Sequence, residues 1–360
     1  MRLRQASYLE NERNIIDLLM DDPSIMRIRV WWRAFRYHFV PPSIFPAVLG
    51  GLIGWSIDHQ FSPRYFFLVL VAIIINHIGL NMTDDYFDYK NAVDTLKPGE
   101  KNPYTGGSGV LSSGRIKPAS MFKAFVICYL ITASVGVYLT LARGLPVLAF
   151  GLVGVFCSVF YTAPPISFSH HGLGELALLI NFGPVIGLGA YFVQTQRLGL
   201  EAFLATLPMG IMLFSMIVIN EIPDDEEDKK AGKLTLVARY GKKAGIKLYV
   251  LSWFFTYAII IGAVTLKIIP VFTLVALLSL PLVATSIRKL RVYYNDPILI
   301  APANLDMIKA HAITCLGLIA GYSAQGLLSG ADAFQLIFIL LLLALAYAPV
   351  AIALVGSSKR

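Results

Sequence analysis

Two groups of acidic residues lie where long apolar stretches of the chain end. The first is NMTDDYFDYKNAVD, residues 81–94. Four of its polar side chains fall at i, i+3, i+4 and i+7 of an ideal helix and so share one face: Asn81, Asp84, Asp85 and Asp88. Like charges in such a stripe repel unless a cation relieves them, and Mg²⁺ takes oxygen ligands while keeping waters that a phosphate can replace. The spacing favours a magnesium site, and a solvated helix end with capping acids is the alternative.

The second group repeats this spacing in NEIPDDEEDKKAGKLTLVARYG, residues 220–241. Asp224 follows Asn220 by four residues, and Asp228 follows four residues later. Pro223 lies between them and removes a helical hydrogen bond, so we expect the helix to kink or end near Ile219. Two acid groups that meet at one pocket could hold two or more Mg²⁺ ions and a diphosphate between them.

Basic and glycine-rich segments next to the acids could bind phosphate. Lys233 and Arg239 follow a possible helix stop at Gly232, and they could contact phosphate oxygens as a point charge and a fork. The loop of residues 97–116 contains Gly106, Gly107 and Ser108, where exposed backbone N–H groups could approach an anion. A flexible surface turn is the alternative for that loop.

The elements that must position these residues are membrane-spanning helices. Hydrophobic residues make up 56% of the 360 residues, charged residues make up 14%, and the mean hydropathy is +0.67. This composition is typical of a polytopic membrane protein. Nothing shows the alternating pattern of a barrel, so we predict an all-α transmembrane bundle. Ten apolar stretches are long enough to span a bilayer: 40–57, 64–83, 119–141, 145–162, 173–194, 202–221, 244–265, 269–287, 308–328 and 333–355.

The distribution of basic residues predicts the orientation of this bundle. With the N-terminus inside the cell, only four of the 30 Lys and Arg residues fall in outer loops: Arg64, Arg143, Arg197 and Lys267. This bias places both acid groups at the cytoplasmic side of a cell (inner or plasma) membrane. It also accounts for the net charge of +8, so a nucleic-acid partner is not expected.

The N-terminal segment, residues 1–35, is expected to remain on the protein. It lacks the continuous apolar core of a cleavable signal peptide and contains several acidic residues. Trp31 and Trp32 stand among arginines, a combination typical of a helix at headgroup depth. We therefore interpret the segment as a basic amphipathic helix at the cytoplasmic interface.

Three stretches of the sequence resemble the UbiA-type membrane prenyltransferases, and within them the 1,4-dihydroxy-2-naphthoate branch of menaquinone biosynthesis. They are the two acidic motifs and YTAPPISFSHHGLGELALLINFGPVIGLGAYFVQT, residues 161–195. The resemblance covers roughly residues 36–328, which we assign as the prenyltransferase domain. It implies a nine-helix core, so residues 329–360 are expected to add a tenth helix and a basic tail.

The resemblance implies transfer of a polyprenyl group from an allylic polyprenyl diphosphate to a small aromatic acceptor, with Mg²⁺ as cofactor and the lipid bilayer as surroundings. The motifs implicate Asp85, Asp88, Asp224 and Asp228 in catalysis, and the same residues with Asp84 in metal binding. Tyr161, at the inner end of the fourth span, is the candidate for stabilising a prenyl cation with its ring. The residues expected to bind the diphosphate are Asn81, Asn220, Lys233, Arg239 and Ser108.

Two alternatives to naphthoate prenylation stay open. The acceptor could instead be a hydroxybenzoate, homogentisate, a tetrapyrrole or a glycerol-phosphate lipid, because that pocket has no sequence mark. A secondary transporter would also place polar residues within spans, and Asn76 and His77 are its best candidates. Transporter acids tend towards the bilayer midplane, whereas the two acid groups here lie at the inner ends of spans.

Overall fold

A computed structural model describes residues 23–91, 93, 102 and 104–357, and this part of the chain is helical without β-strands. The predicted all-α bundle is confirmed, while residues 1–22 of the predicted N-terminal segment lie outside the described residues. A helix covers each of the ten apolar stretches. The helices are α1 Pro23–Phe35, α2 Pro41–Ser56, α3 Pro63–Lys90, α4 Pro118–Arg143, α5 Pro146–Phe160, α6 Gly174–Thr195, α7 Leu200–Lys230, α8 Leu236–Tyr240, α9 Lys242–Thr265, α10 Val271–Tyr293, α11 Ala301–Leu328 and α12 Ala333–Ser357.

Of the ten helices that cover the predicted apolar stretches, not all are long enough to cross a membrane alone. In the described part of the chain, eight meet the length and apolarity that a span requires. The ninth candidate is α2 together with Met26–Phe39, a pair with a bend of 54° that has the length and composition of a broken span or of a re-entrant loop. Helix α5 is apolar but has only 15 residues. The chain is therefore a multi-pass membrane protein with at least two shorter or broken elements.

The helices α3 and α7 run beyond their predicted spans and carry the acid groups with them. Helix α3 continues to Lys90, and α7 continues through Pro223 to Lys230. The expectation that α7 ends near Ile219 is wrong. Pro223 removes only one backbone donor, and the fully buried side chains of Ile219 and Ile222 hold this part of the helix against its neighbours. Both acid groups are consequently helical.

Helices α7 and α2 both pack against α6 with their backbones very close to the backbone of α6. A Cβ at Gly183 would stand 2.7 Å from the backbone nitrogen of Gly210 in α7, and a Cβ at Gly50 in α2 would collide with the carbonyl oxygen of Gly187. Only residues without a side chain permit these distances. Helix α7 also contacts α9 and α11 and thus lies at the centre of the bundle.

The last of the spanning helices described, α12, covers α2. The Tyr37 hydroxyl donates to the Ala346 carbonyl at 3.0 Å, and Trp55 Nε1 donates to the Asp332 carbonyl at 3.0 Å. The rings of Phe45 and Tyr347 pack with centroids 6.0 Å apart. Every residue of α2 is buried as a result of its packing against α6, α11 and α12.

Candidate active site

The acid-bearing ends of α3 and α7 face one cavity of about 190 Å³. Asp84 and Asp88 of α3 line it together with Asp224 and Asp228 of α7. Each pair is spaced by four residues, which places both members on one side of their helix. The two predicted acid groups therefore meet, although they are more than a hundred residues apart in sequence.

Arg36 neutralises the first acid group. Its Nη1 donates to Asp84 Oδ2 at 3.0 Å and to Asp85 Oδ1 at 3.3 Å, and its Nη2 donates to the Gly106 carbonyl at 3.1 Å. The hydroxyl of Thr162 donates to the other oxygen of Asp84 at 2.6 Å. Asn81 also lines the cavity, but its amide donates to the backbone carbonyls of Phe35 and Arg36 and so fixes the turn that carries Arg36.

Lys233 joins the two acid groups. Its Nζ lies 3.1 Å from Asp88 Oδ2, while its backbone nitrogen donates to the Asp228 carbonyl at 2.8 Å. Burial alone would lower the pKa of Lys233, but the carboxylates of Asp88, Asp228 and Asp84 outweigh it and raise that pKa well above its usual value. The amine is therefore a fixed positive charge within the cavity lining.

Side chains from the loop before α4 and from α11 hold the second acid group in place. Thr105 donates to Asp224 Oδ1 at 3.1 Å. Asn220 lines the cavity and accepts from Asn304 of α11 at 2.8 Å, and Asn304 in turn accepts from Asn102 at 3.2 Å. This chain of amides ties the loop before α4 to both α7 and α11.

Residues 104–109 close the cavity from the loop side. Tyr104, Thr105, Gly106 and Gly107 line it, and Gly106 has a φ of 82°, in the region that favours glycine. Ser108 is turned the other way: its backbone N–H donates to Asp85 Oδ1 at 3.1 Å. Ser108 and Asp85 therefore line a small crevice beside the cavity.

The structure does not bring Arg239 to the cavity. The residue is exposed in α8, and its Nε donates to the Leu234 carbonyl at 2.9 Å. Gly172 packs close to this side chain, since a Cβ there would stand 3.0 Å from the Arg239 Nε. In this arrangement Arg239 holds together two loops outside the cavity.

Apolar and aromatic side chains also line the cavity. They include Phe39, Leu80, Phe182, Leu213, Met216 and Tyr161. The ring of Tyr161 lies against Gly174, where a Cβ would stand 3.0 Å from a ring carbon. The site thus combines charged groups from the helix ends with aromatic side chains in one cavity.

Sequence reasoning missed Arg36 and a pair of glutamates. Glu175 accepts from the backbone N–H of Leu236 at 2.7 Å, and Glu221 accepts from that of Val237 at 3.5 Å. These bonds anchor the start of α8, directly after Lys233. Arg36 is one of several basic residues before the first span, and its spacing does not distinguish it from the others. Glu221 could have been identified, because it follows Asn220 directly within the second acidic motif.

The donor set fits a hard cation that shares its ligands with a substrate. Among the described residues, no three acidic, histidine or cysteine side chains converge closely enough to hold a metal ion alone. Mg²⁺ is usually bound through one or two carboxylates, with waters and substrate phosphates completing its octahedron. Pairs of carboxylates that face each other across a cavity are suited to that mode of binding.

Comparison with known proteins places this geometry in context. The model of the UbiA prenyltransferase family matches residues 43–301. A 1,4-dihydroxy-2-naphthoate octaprenyltransferase of Bacillus subtilis is 26% identical over 70% of this chain and 79% of its own. A 2-carboxy-1,4-naphthoquinone phytyltransferase of Synechocystis is 24% identical over 83% of this chain and 94% of its own.

Solved structures share the fold. A UbiA homologue from Archaeoglobus fulgidus bound to DMAPP and Mg²⁺ superposes with a TM-score of 0.62 at 14% identity, over 82% of this chain and 98% of that one. A UbiA homologue from Aeropyrum pernix K1 gives a TM-score of 0.60 at 15% identity, over 79% of this chain and 98% of that one. At these identities the likeness shows the helical architecture alone.

Proposed function

We propose that this chain, which belongs to the UbiA prenyltransferase family, transfers a polyprenyl group from an allylic diphosphate to 1,4-dihydroxy-2-naphthoate. The chain is a membrane-embedded prenyltransferase, and the acceptor is the proposed part. One observation carries the proposal: carboxylates from two helices and the amine of Lys233 face one cavity that aromatic side chains also line. The diphosphate leaving group requires charged partners, and the apolar prenyl chain, which forms a cation, requires aromatic side chains close by.

We propose that Mg²⁺ is held by the carboxylates that line the cavity, namely Asp84, Asp88, Asp224 and Asp228. When bound, it would neutralise the diphosphate and stabilise its departure. The Lys233 amine and the Arg36 guanidinium supply two further positive charges at the same end of the cavity. Asp85 is then a positioning residue, since it holds Arg36 and the Ser108 backbone from the adjoining crevice.

The reaction breaks the C–O bond between the prenyl chain and diphosphate, and the diphosphate leaves with the bonding electron pair. The allylic cation is shielded from water by Tyr161 and Phe182, because aromatic ring faces attract positive charge. An electron-rich ring carbon then forms the new C–C bond. If that carbon carries the carboxylate of dihydroxynaphthoate, the bond between the ring and the carboxylate breaks and CO₂ leaves. The electron pair of that bond returns to the ring and restores its aromaticity.

The naphthoate acceptor is favoured by relatives rather than by a pocket feature. The relatives from Bacillus subtilis and Synechocystis act on naphthalene-derived rings, according to their names. The other acceptors considered from the sequence remain outcomes of the assay below. The transporter alternative is less favoured, because the acid groups lie at the ends of α3 and α7 and not in mid-span. Its candidate residues Asn76 and His77 hydrogen-bond to Ser158 at 2.8 Å and to Ser43 at 2.9 Å.

The first test is prenyl transfer by purified protein in detergent with geranyl diphosphate, Mg²⁺ and each acceptor in turn. We expect product with dihydroxynaphthoate, loss of product with EDTA, and its return when Mg²⁺ is added. Asp224→Asn should lower kcat by about 100-fold or more, because it removes a carboxylate proposed to hold the Mg²⁺ that would stabilise the leaving diphosphate. The matched control is Glu226→Gln, which changes an exposed acid on the same helix.

Product with a different acceptor only would overturn the naphthoate assignment and keep the prenyltransferase. Equal rates for Asp224→Asn and Glu226→Gln would contradict the proposed role of the cavity. Folding of both variants can be compared by thermal unfolding in detergent, so that loss of activity is not confused with loss of structure.

A further inference from the structure

Three asparagine side chains form a chain of hydrogen bonds that ends at the cavity between α3 and α7 (the acidic cavity). Asn102 Nδ2 donates to Asn304 Oδ1 at 3.2 Å, and Asn304 Nδ2 donates to Asn220 Oδ1 at 2.8 Å. Asn102 and Asn304 are 2% and 1% exposed, and neither lines the acidic cavity. Asn220 does line it. The chain therefore connects a residue of the site to two buried side chains outside it.

The backbone fixes the direction of these hydrogen bonds. The N–H group of Tyr104 donates to Asn102 Oδ1 at 3.0 Å, and a backbone N–H can only donate. Asn102 must therefore turn its NH₂ group towards Asn304, because the oxygen and the nitrogen of an amide lie on opposite branches. The same reasoning applies to Asn304, whose oxygen accepts from Asn102 and whose nitrogen donates to Asn220. Each amide in the chain thus has one defined orientation.

Asn220 consequently presents its nitrogen to the acidic cavity. Its oxygen accepts from Asn304, and its Nδ2 is neither bonded to a described residue nor enclosed by protein. Two N–H donors are therefore open to the cavity. Such donors are suited to an oxygen atom that carries negative charge, whereas they cannot serve as ligands of a metal ion.

Asn81, the corresponding asparagine of the first acidic motif, has the opposite orientation. Its Nδ2 donates to the carbonyls of Phe35 and Arg36 at 3.0 and 3.3 Å, and a carbonyl can only accept. The oxygen of Asn81 is thus the atom left for the cavity. Both asparagines precede an aspartate by four residues, so the motif does not determine which atom faces the cavity. The partners outside the cavity determine it.

The position of Asn220 on α7 limits which groups it can meet. It precedes Asp224 by four residues, about 6 Å along the helix axis, and so lies further from the end of α7 than the carboxylates proposed to hold Mg²⁺. Of the proposed substrates, the donor carries negative charge on its diphosphate and the acceptor carries it on its carboxylate. Either group offers an oxygen atom to the two N–H donors.

We propose that Asn304 is a positioning residue, which holds the Asn220 amide so that its NH₂ group binds a negatively charged oxygen atom of a substrate. This inference rests on the proposed function, since the proposed function supplies the two substrates. Asn304 does not touch the substrate itself. Asn102 belongs to the same arrangement, because it fixes the orientation of Asn304.

Asn304→Asp should reverse the orientation of Asn220 with little change in side-chain size. A carboxylate can only accept, so Asn220 would turn its NH₂ group towards α11 and its oxygen towards the cavity. We expect the KM for geranyl diphosphate or for dihydroxynaphthoate to rise by about tenfold or more, since a charge-assisted hydrogen bond becomes a repulsive contact. Asn295→Asp is the matched control, because Asn295 is exposed in the loop between α10 and α11.

The KM that rises identifies the substrate oxygen. A higher KM for the donor alone assigns it to the diphosphate, and a higher KM for the acceptor alone assigns it to the carboxylate. If both values equal those of Asn295→Asp, the proposal is overturned. Absence of product from the wild type would instead contradict the proposed function.

A double-mutant cycle tests whether Asn304 acts through Asn220. In an Asn220→Leu background there is no amide to orient, so the addition of Asn304→Asp should change the KM values by less than about twofold. A merely structural role, or repulsion by the added charge, would raise KM in both backgrounds and would overturn the proposal.

Asn304→Leu takes the place of Asn304→Asp in this cycle should thermal unfolding in detergent show that the aspartate variant does not fold. Leucine has a similar size and no charge, and it leaves the Asn220 amide without its partner. We expect a rise in KM that is again confined to the background with Asn220. Equal KM values for Asn304→Leu and the wild type would overturn the proposal.

Discussion

At the residue scale, helical spacing explains which acids could be assigned from the sequence. Asp84 and Asp88 are four residues apart and therefore share the face that lines the cavity. Asp85 is one residue away from Asp84, a rotation of about 100° on a helix, and it faces the crevice that contains Ser108. The sequence indicated the whole stripe but could not show which part of it faces α7, because that depends on how two distant helices pack.

The basic residues were harder to assign than the acids. Lys233 was predicted to contact phosphate and lines the cavity, whereas Arg239, predicted on the same grounds, is exposed and bonded to a loop. Their positions differ because α8 begins between them and turns the chain outward. Charge alone does not reveal such a turn.

Lys233→Met should raise the KM for the prenyl diphosphate by about tenfold or more, because a buried positive charge beside the leaving group is lost. The measurement is steady-state kinetics with varied donor at a saturating concentration of Mg²⁺. Lys243→Met is the matched control, since Lys243 is exposed at the start of α9. Equal donor KM values in the two variants would show that Lys233 neutralises acids without binding the substrate.

At the element scale, the lengths of the apolar stretches predicted how many long helices form, but they did not predict where those helices end. Helices α3 and α7 continue into the acidic motifs because neighbouring helices bury them beyond the end of the apolar stretch. Ile222 of α7, for example, has no exposed surface. Propensity rules place Pro223 at a helix break, and tertiary packing overrides that rule. The loop of residues 104–109 has no such periodic signal, so its contacts with Arg33, Arg36 and Asp224 could not be predicted.

Gly50→Ala should destabilise the packing of α2 against α6. The new Cβ would collide with the carbonyl oxygen of Gly187, and backbone cannot move aside as a flexible side chain can. The expected loss of stability is about 1–3 kcal/mol, the usual range for overpacking, and should appear as a lower Tm in detergent. Gly262→Ala, which adds the same methyl group in open space, should leave Tm unchanged or slightly higher. Similar Tm values for both variants would contradict this close approach.

At the scale of the whole molecule, composition and charge bias predicted a multi-pass bundle and an orientation. The bundle is confirmed, and the orientation stays a prediction. The contact between α12 and α2 could not have been predicted, because apolar helices in a membrane carry little pattern that identifies their neighbours. Contacts such as the hydrogen bond of Trp55 to the Asp332 carbonyl and the packing of Phe45 against Tyr347 mark this pairing, and they are visible only in the structure.

The acid end of the bundle is predicted to face the cytoplasm. In a background without the native cysteines, Gln60→Cys in the loop between α2 and α3 should react with a membrane-impermeant maleimide added to intact cells or spheroplasts. Ser112→Cys, exposed in the loop before α4, should react only after the membrane is opened. The reverse pattern would place the acidic cavity on the outer side and would refute the positive-inside assignment.

The cover that α12 provides for α2 also limits how the protein can be assembled. The hydrogen bond from Tyr37 to Ala346 joins positions 309 residues apart, with the seven spanning helices α3, α4, α6, α7, α9, α10 and α11 between them. A ribosome adds residues in order, so α2 enters the bilayer long before its partner has been synthesised. During that interval one side of α2 must contact lipid or an insertion factor, and a chain interrupted before residue 333 would keep this side uncovered. Quality control of the nascent protein could therefore recognise incomplete chains by this face of their first spanning helix.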